Sequence, residues 1–261
     1  MPALTFSKFR SQLDRKIAEY AINWHVLGFH APGGRIYPIG TDTKVISTIF
    51  EALIAPLVSE IAKEFDYKVE GSDQTVYPDF TMSRLKPAQS PSRIAIDIKT
   101  TYRRIGSRGQ IQPFRYTLGS YTSFLRTPGA KKNIKYPYAE YSDHWTIGFL
   151  YTRTSSVAAK VYYRLEEENE ISCPYRDVEY FVQEKYKIIG DRPGSGNTAN
   201  IGSFATAKIQ DLRDGLGPFA TLGKEMCDQY WRTYAREKAK RVYNNLEEFT
   251  VWFASQRETP S

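Results

Sequence analysis

Two aspartates and a lysine, in the strings Pro78-Asp79 and Asp97-Ile98-Lys99, have the types and spacing that gather a hard divalent cation beside a fixed positive charge. Carboxylates this close repel when no cation stands between them, and one then tends to hold a proton. With a cation, the same pair can polarise a phosphate and lower the pKa of a bound water. Magnesium suits such a pair, because it takes oxygen ligands and keeps several waters. Lys99 could hold an attacking water and offset charge on the phosphorus in the transition state. Glu51 offers a further acid from an earlier helix. The bland reading stands beside this one: short strings of Asp and Lys also mark any solvated strand edge.

The elements that must position these groups can be read from periodicity. Tyr77 to Leu85 and Arg93 to Tyr102 read as strands, joined by the turn-rich KPAQSPS. In the second strand Ile94, Ile96 and Ile98 alternate with Ala95, Asp97 and Lys99, so Asp97 and Lys99 share the face opposite the isoleucines. A helix precedes them, capped by Thr41 or Asp42, with Val45, Ile49, Leu53, Leu57, Ile61 and Phe65 at four-residue steps. Pro56 should bend or break it. A first helix runs from Phe6 to Tyr20, and APGG marks a turn between short extended segments at Trp24 to Phe29 and Arg35 to Ile39. Later come strand-like runs at His144 to Arg153 and Glu179 to Ile189. A Gly/Ser/Asn-rich loop follows from Asp191 to Ser203, then helices near Lys224 to Tyr243 and Leu246 to Phe253. The fold class is α/β (α+β), a mixed central β-sheet flanked by helices, in one domain over 1–261.

Composition sets the outer limits. The 261 residues are 41% apolar and 14% aromatic, enough to bury a core without disulfides. Cys173 and Cys227 lack metal or redox spacing and fit a reducing compartment, and with the scattered His25, His30 and His144 they argue against zinc. The N-terminus carries charges where a leader needs an apolar run, and runs such as Ile147 to Tyr151 look too short to cross a bilayer. The expectation is a soluble, cytoplasmic protein without membrane contact. A net charge of +7 favours a polyanionic partner such as DNA.

Longer strings carry a resemblance. IYPIGTDTKVISTIFE (Ile36 to Glu51), YPDFT (Tyr77 to Thr81), IAIDIKTTY (Ile94 to Tyr102), TLGSYTSFLR (Thr117 to Arg126), HWTIGFLYTR (His144 to Arg153) and GSGNTANIGS (Gly194 to Ser203) occur in this order. The chain thereby resembles the EcoRV-like type II restriction endonucleases of the PD-(D/E)xK nuclease superfamily. The resemblance implies a homodimeric, Mg2+-dependent enzyme, with Mn2+ as a substitute, that hydrolyses both strands of double-stranded DNA at a short palindrome. It implies GATATC with a blunt central cut. Asp79 and Asp97 become metal ligands, Lys99 the catalytic lysine, and Glu51 an accessory acid that could bind a second metal. Gly194, Ser195, Gly196, Asn197 and Thr198 become a base-reading loop within about 192–203, and the dimerisation part falls near the N-terminal third. Such a loop makes physical sense: glycines allow close backbone approach, Asn pairs with adenine, and a Thr methyl meets a thymine methyl. Thr101 and Tyr102 are candidate phosphate contacts.

The pattern is not matched everywhere. Gly71 to Val76 is one residue shorter than its counterpart and lacks its Gln-Gln-Asn run, leaving Gln74 as the candidate for the minor groove. Arg103 to Pro113 and the tail beyond Lys240 also differ. A cognate methyltransferase is implied as a functional companion and not as a bound partner. The alternative is a repair or end-processing nuclease of the same superfamily without a fixed palindrome. A DNA-binding protein that does not cut is disfavoured by the presence of Asp79, Asp97 and Lys99. Loss of either aspartate is expected to stop cleavage and leave the fold intact.

Overall fold

A computed structural model describes residues 4–86, 93–119, 121–155, 160–194, 200–235 and 237–258. Helix α1 (Phe6–Glu19) is capped by the Thr5 side chain and buries Phe9 and Leu13. Strands β1 (Gly28–Ala31) and β2 (Arg35–Pro38) form a hairpin that turns through Gly33 and Gly34, both at positive φ. Helix α2 (Thr43–Glu64) starts at Asp42, whose carboxylate accepts from the N–H groups of Lys44 and Val45. Its buried stripe is Ile46, Ile49, Phe50, Ile54, Leu57, Val58, Ile61 and Ala62. Strict four-residue steps drift around a 3.6-residue helix, which is why Val45, Leu53 and Phe65 fall to the partly buried margin. Pro56 leaves the helix uninterrupted. It faces solvent, and so does Ala52, whose carbonyl Pro56 cannot satisfy.

The central sheet is built from β3 (Tyr67–Gly71), β4 (Phe80–Arg84), β5 (Arg93–Tyr102), β6 (Tyr141–Arg153) and β8 (Tyr175–Glu184), in the order β3-β4-β5-β6-β8. Only β5 and β6 run parallel; the other pairs are antiparallel, so the sheet is mixed. A short β7 (Tyr163–Arg164) joins β1 and β2 in a separate small sheet. The first expected strand is shorter than its pattern, because Tyr77 bridges sideways to Ile134 and leaves β4 to begin at Phe80.

Each face of the sheet has its own core. Ile94, Ile96 and Ile98 pack with Trp145, Ile147 and the buried stripes of α1 and α2. Ala95 on the other face packs with Phe114, Tyr116, Leu118 and residues from α3 (Tyr121–Arg126), β9 (Ile189–Pro193), β10 (Ile201–Ser203), α4 (Ile209–Arg213), α5 (Lys224–Thr233) and α6 (Leu246–Glu258). The apolar length of α2 follows from this burial. By length and composition α2 could cross a membrane, contrary to the sequence expectation, but its apolar stripe is the floor of the first core.

Three boundaries move for tertiary reasons. The strand expected at Glu179 to Ile189 splits into β8 and β9 around a 3-10 turn at Lys185–Lys187. Helix α5 stops at Thr233, where Arg126 of α3 donates to the carbonyls of Arg232 and Tyr234 and takes up the orphan acceptors. The loop expected from Asp191 to Ser203 has paired flanks: β9 and β10 form an antiparallel hairpin. Its base is joined to a neighbouring extended segment through Phe114 N–H to Thr206 O (2.8 Å), Ser203 N–H to Tyr116 O (2.9 Å), Leu118 N–H to Ile201 O (2.8 Å) and Ile201 N–H to Gly119 O (3.0 Å).

Candidate active site

Strand β5 is the middle strand of five, so the solvated-edge reading of Asp97 and Lys99 does not apply to this fold. Antiparallel pairing sets Phe80 opposite Ile96, which brings Asp79, just before β4, level with Asp97 and Ile98. The Asp79 Oδ2 accepts from the Ile98 backbone N–H at 2.5 Å. Lys99 Nζ donates to Asp97 Oδ1 at 2.6 Å and stands 3.7 Å from Asp79 Oδ2. The structure thus brings Asp79, Asp97 and Lys99 into one cluster.

Their charges depend on one another. Burial raises the Asp79 pKa, and the Asp97 charge raises it further, to about 7, against the pull of Lys99 and the Ile98 N–H. Burial would also raise Asp97, but Lys185 and Lys99 outweigh it and hold that carboxyl below its usual range. Burial disfavours the Lys99 ammonium, yet the two carboxylates more than offset this and raise its pKa. The result is one firmly ionised aspartate, one poised near neutrality and a charged lysine. These residues line a cleft of about 230 Å3 with Thr75, Val76, Tyr77, Leu118, Gly119, Phe124 and Asn133.

The other sequence candidates are placed less centrally. Glu51 lies half-buried on α2 and adds to the negative field at Asp79, more weakly than Asp97 does; it does not line the cleft. Gln74 is exposed beside Thr75, a cleft residue at the positive φ of 71°. Thr101 and Tyr102 border a separate cleft of about 270 Å3, with Arg104, Arg115, Thr117, Gly194 and Gly202. Gly194 opens the hairpin tip and donates to Asn200 O at 2.9 Å. Ser195, Gly196, Asn197 and Thr198 lie outside the described residues.

Comparison with known proteins settles the family. The model of the restriction endonuclease EcoRV family matches residues 20–254. The type II restriction enzyme EcoRV of Escherichia coli is 42% identical over 253 residues, covering 95% of this chain and 99% of that protein. The chain belongs to the EcoRV restriction endonuclease family. It is an enzyme of the type II restriction endonuclease class, a DNA phosphodiester hydrolase.

For a member of the EcoRV family, the donor chemistry of the cleft fits a magnesium-like ion. Asp79 and Asp97 supply hard oxygens, and among the described residues no group of three or more His, Cys, Asp or Glu side chains could form a closed cage. An ion that keeps much of its water is the kind that two carboxylates serve.

Sequence reasoning missed Lys185. It follows β8, is fully buried, and donates to Asp97 Oδ2 at 2.9 Å, with Nζ 4.2 Å from the centre of the Tyr77 ring. Nothing local marks it: VQEKYK reads as the polar end of a strand, and Asp97 is 88 positions away.

Proposed function

We propose that this EcoRV-family enzyme cuts both strands of double-stranded DNA at GATATC, bluntly at the central step, in a Mg2+-dependent reaction in which Mn2+ can replace Mg2+. The observation that carries the reading is the meeting of Asp79, Asp97 and Lys99 in one cleft of a chain from this family. Asp79 and Asp97 hold the ion, and Glu51 serves as an accessory acid. When bound, the ion supplies Lewis acidity toward the phosphate and toward a water. Lys99 orients the attacking water and offsets charge that develops on the phosphorus. Asp79, poised near neutrality in the metal-free protein, would hold the ion as a carboxylate.

Recognition is assigned to Gly194, Ser195, Gly196, Asn197 and Thr198 in the major groove, by amide pairing to adenine and methyl contact with thymine. Gln74 approaches the minor groove, and Thr101 and Tyr102 hold backbone phosphate. The central TA step unstacks easily, so bending at that step completes the site on the correct sequence alone. A palindrome cut in both strands calls for a C2 homodimer. The small sheet and the segment leading into β7 expose apolar side chains for it: Phe29 and Tyr37 on the strands, Val161 and Tyr162 just before β7. In this reading 1–261 is a single domain working in the cytoplasm beside a methyltransferase that protects host DNA.

Digestion of a plasmid of known sequence with Mg2+, followed by end mapping, tests the proposal. Blunt ends within GATATC are expected. Cuts without a fixed palindrome would instead identify an end-processing nuclease of the same superfamily.

A further inference from the structure

Lys185 is an unusual residue for its position. Lysine is almost never fully buried unless paired, and this one has no solvent exposure, with its Nζ 4.2 Å from the centre of the Tyr77 ring. It does not line the cleft that holds Asp79, Asp97 and Lys99. Its ammonium reaches Asp97 from behind, from a turn after β8, while Lys99 reaches the same carboxylate from within β5. Each oxygen of Asp97 therefore has its own ammonium: Oδ2 has Lys185 at 2.9 Å, and Oδ1 has Lys99 at 2.6 Å.

We propose that Lys185 is a positioning residue for DNA cleavage, which pins Oδ2 of Asp97, fixes the plane of that carboxylate and leaves Oδ1 directed toward Asp79 and Lys99. The proposal rests on the assignment of Asp97 above. The two lysines differ in what they can do next. The Lys99 side chain keeps 22% of its exposure and is shared between two aspartates, so it can move toward substrate. Lys185 has no exposure and no such freedom. With Lys185 in place, Asp97 keeps a counter-charge when Lys99 turns to the phosphate. Without it, Lys99 is the nearest cation left to Asp97 and is held there by the attraction that a low-dielectric site strengthens.

Charge counting separates this role from simple packing. With both aspartates ionised, as a bound cation requires, Asp79, Asp97, Lys99 and Lys185 sum to zero. Removing Lys185 leaves one excess negative charge, so affinity for a divalent cation should not fall, whereas the geometry of Asp97 should be lost. The expected defect is in the maximal rate and not in the metal requirement.

The test compares wild type, Lys185→Met and Asp97→Asn in single-turnover cleavage of a GATATC duplex across a Mg2+ titration. A Ca2+ titration of melting temperature, with the duplex present, gives a readout independent of cleavage. Lys185→Met should lower the maximal rate by about tenfold or more, with half-saturating Mg2+ and Ca2+ within about threefold of wild type. A smaller loss of rate, or a loss that extra Mg2+ restores, overturns the proposal. Should Lys185→Met fail to fold, the double variant Asp97→Asn/Lys185→Met decides. Recovery of folding in the double variant supports the pairing, and failure to fold shows a packing requirement and overturns it. Normal cutting by Asp97→Asn would remove the assignment of Asp97 and take this proposal with it. Loss with Asp97→Asn but not with Lys185→Met removes Lys185 alone.

Discussion

The backbone N–H of Ile98 donates to Oδ2 of Asp79, so the residue before β4 is tied to the middle of β5 between Asp97 and Lys99. That bond fixes Asp79 beside a second carboxylate even though like charges repel there. Burial first and the Asp97 charge second raise the pKa of Asp79 from its usual 3.8 to about 7. Between those two values the folded protein holds a proton that the unfolded chain has released. Stability of the metal-free protein should therefore fall as pH rises from about 4 to about 7, by at most roughly 4 kcal/mol from this group. Urea denaturation in chelator, at steps across that range, measures the slope. Asp79→Asn should flatten it, and an unchanged slope in that variant would contradict the assignment.

Asp97 should behave differently from Asp79 on truncation. The sequence alone led us to expect an inactive but intact Asp97→Ala. The structure leads to a different expectation, because alanine removes the carboxylate that Lys185 pairs with at 2.9 Å in a site with no solvent. Breaking a buried pair by removing one partner costs about 3–5 kcal/mol. Asp97→Asn keeps a carbonyl oxygen for Lys185 and should lose less. Both variants should lose cleavage, and equal stability of the two in urea melts would count against the pairing.

These differences trace what the chain reveals of itself. The alternation of Ile94, Ile96 and Ile98 with Ala95, Asp97 and Lys99 was legible because a central strand with a different core on each face repeats every two residues. The match of Asp79 to that strand was legible as a hairpin, since β4 and β5 pair antiparallel. Lys185 was not legible, because its role depends on β8 reaching the sheet beside β6 and on the turn that follows. The strands β9 and β10 were hidden because IGDRP and IGS, at five and three residues, are too short to carry a periodic signal. Helix α5 looked longer than it is because its stop comes from Arg126, a distant residue and not a local breaker. Long-range partners were the common omission.

Asn197 is expected to govern choice among sequences more than grip on DNA. Asn197→Ala should cost about 1–3 kcal/mol of discrimination against a wrong base pair while leaving nonspecific affinity nearly unchanged. Competition binding between GATATC and single-substituted duplexes, at fixed salt, reads this directly. Equal losses on every duplex would place the residue on the backbone instead.

The small sheet gives a test of assembly. Phe29 on β1, and Val161 and Tyr162 just before β7, are exposed beside it and are proposed to meet the partner subunit. Val161→Glu or Tyr162→Glu should shift sedimentation toward monomer and weaken double-strand cutting, leaving helical content unchanged by circular dichroism. A dimer of wild-type strength in both variants would move the interface elsewhere.

The base of the β9–β10 hairpin is hydrogen-bonded to the stretch that includes Leu118 and Gly119, and those two residues also wall the cleft of Asp79 and Asp97. One length of backbone is therefore common to the apparatus assigned to reading and the apparatus assigned to cutting. An engineer who lengthens the stem at Ile189–Pro193 or Ile201–Ser203 drags that wall with it, and selectivity and turnover then change together.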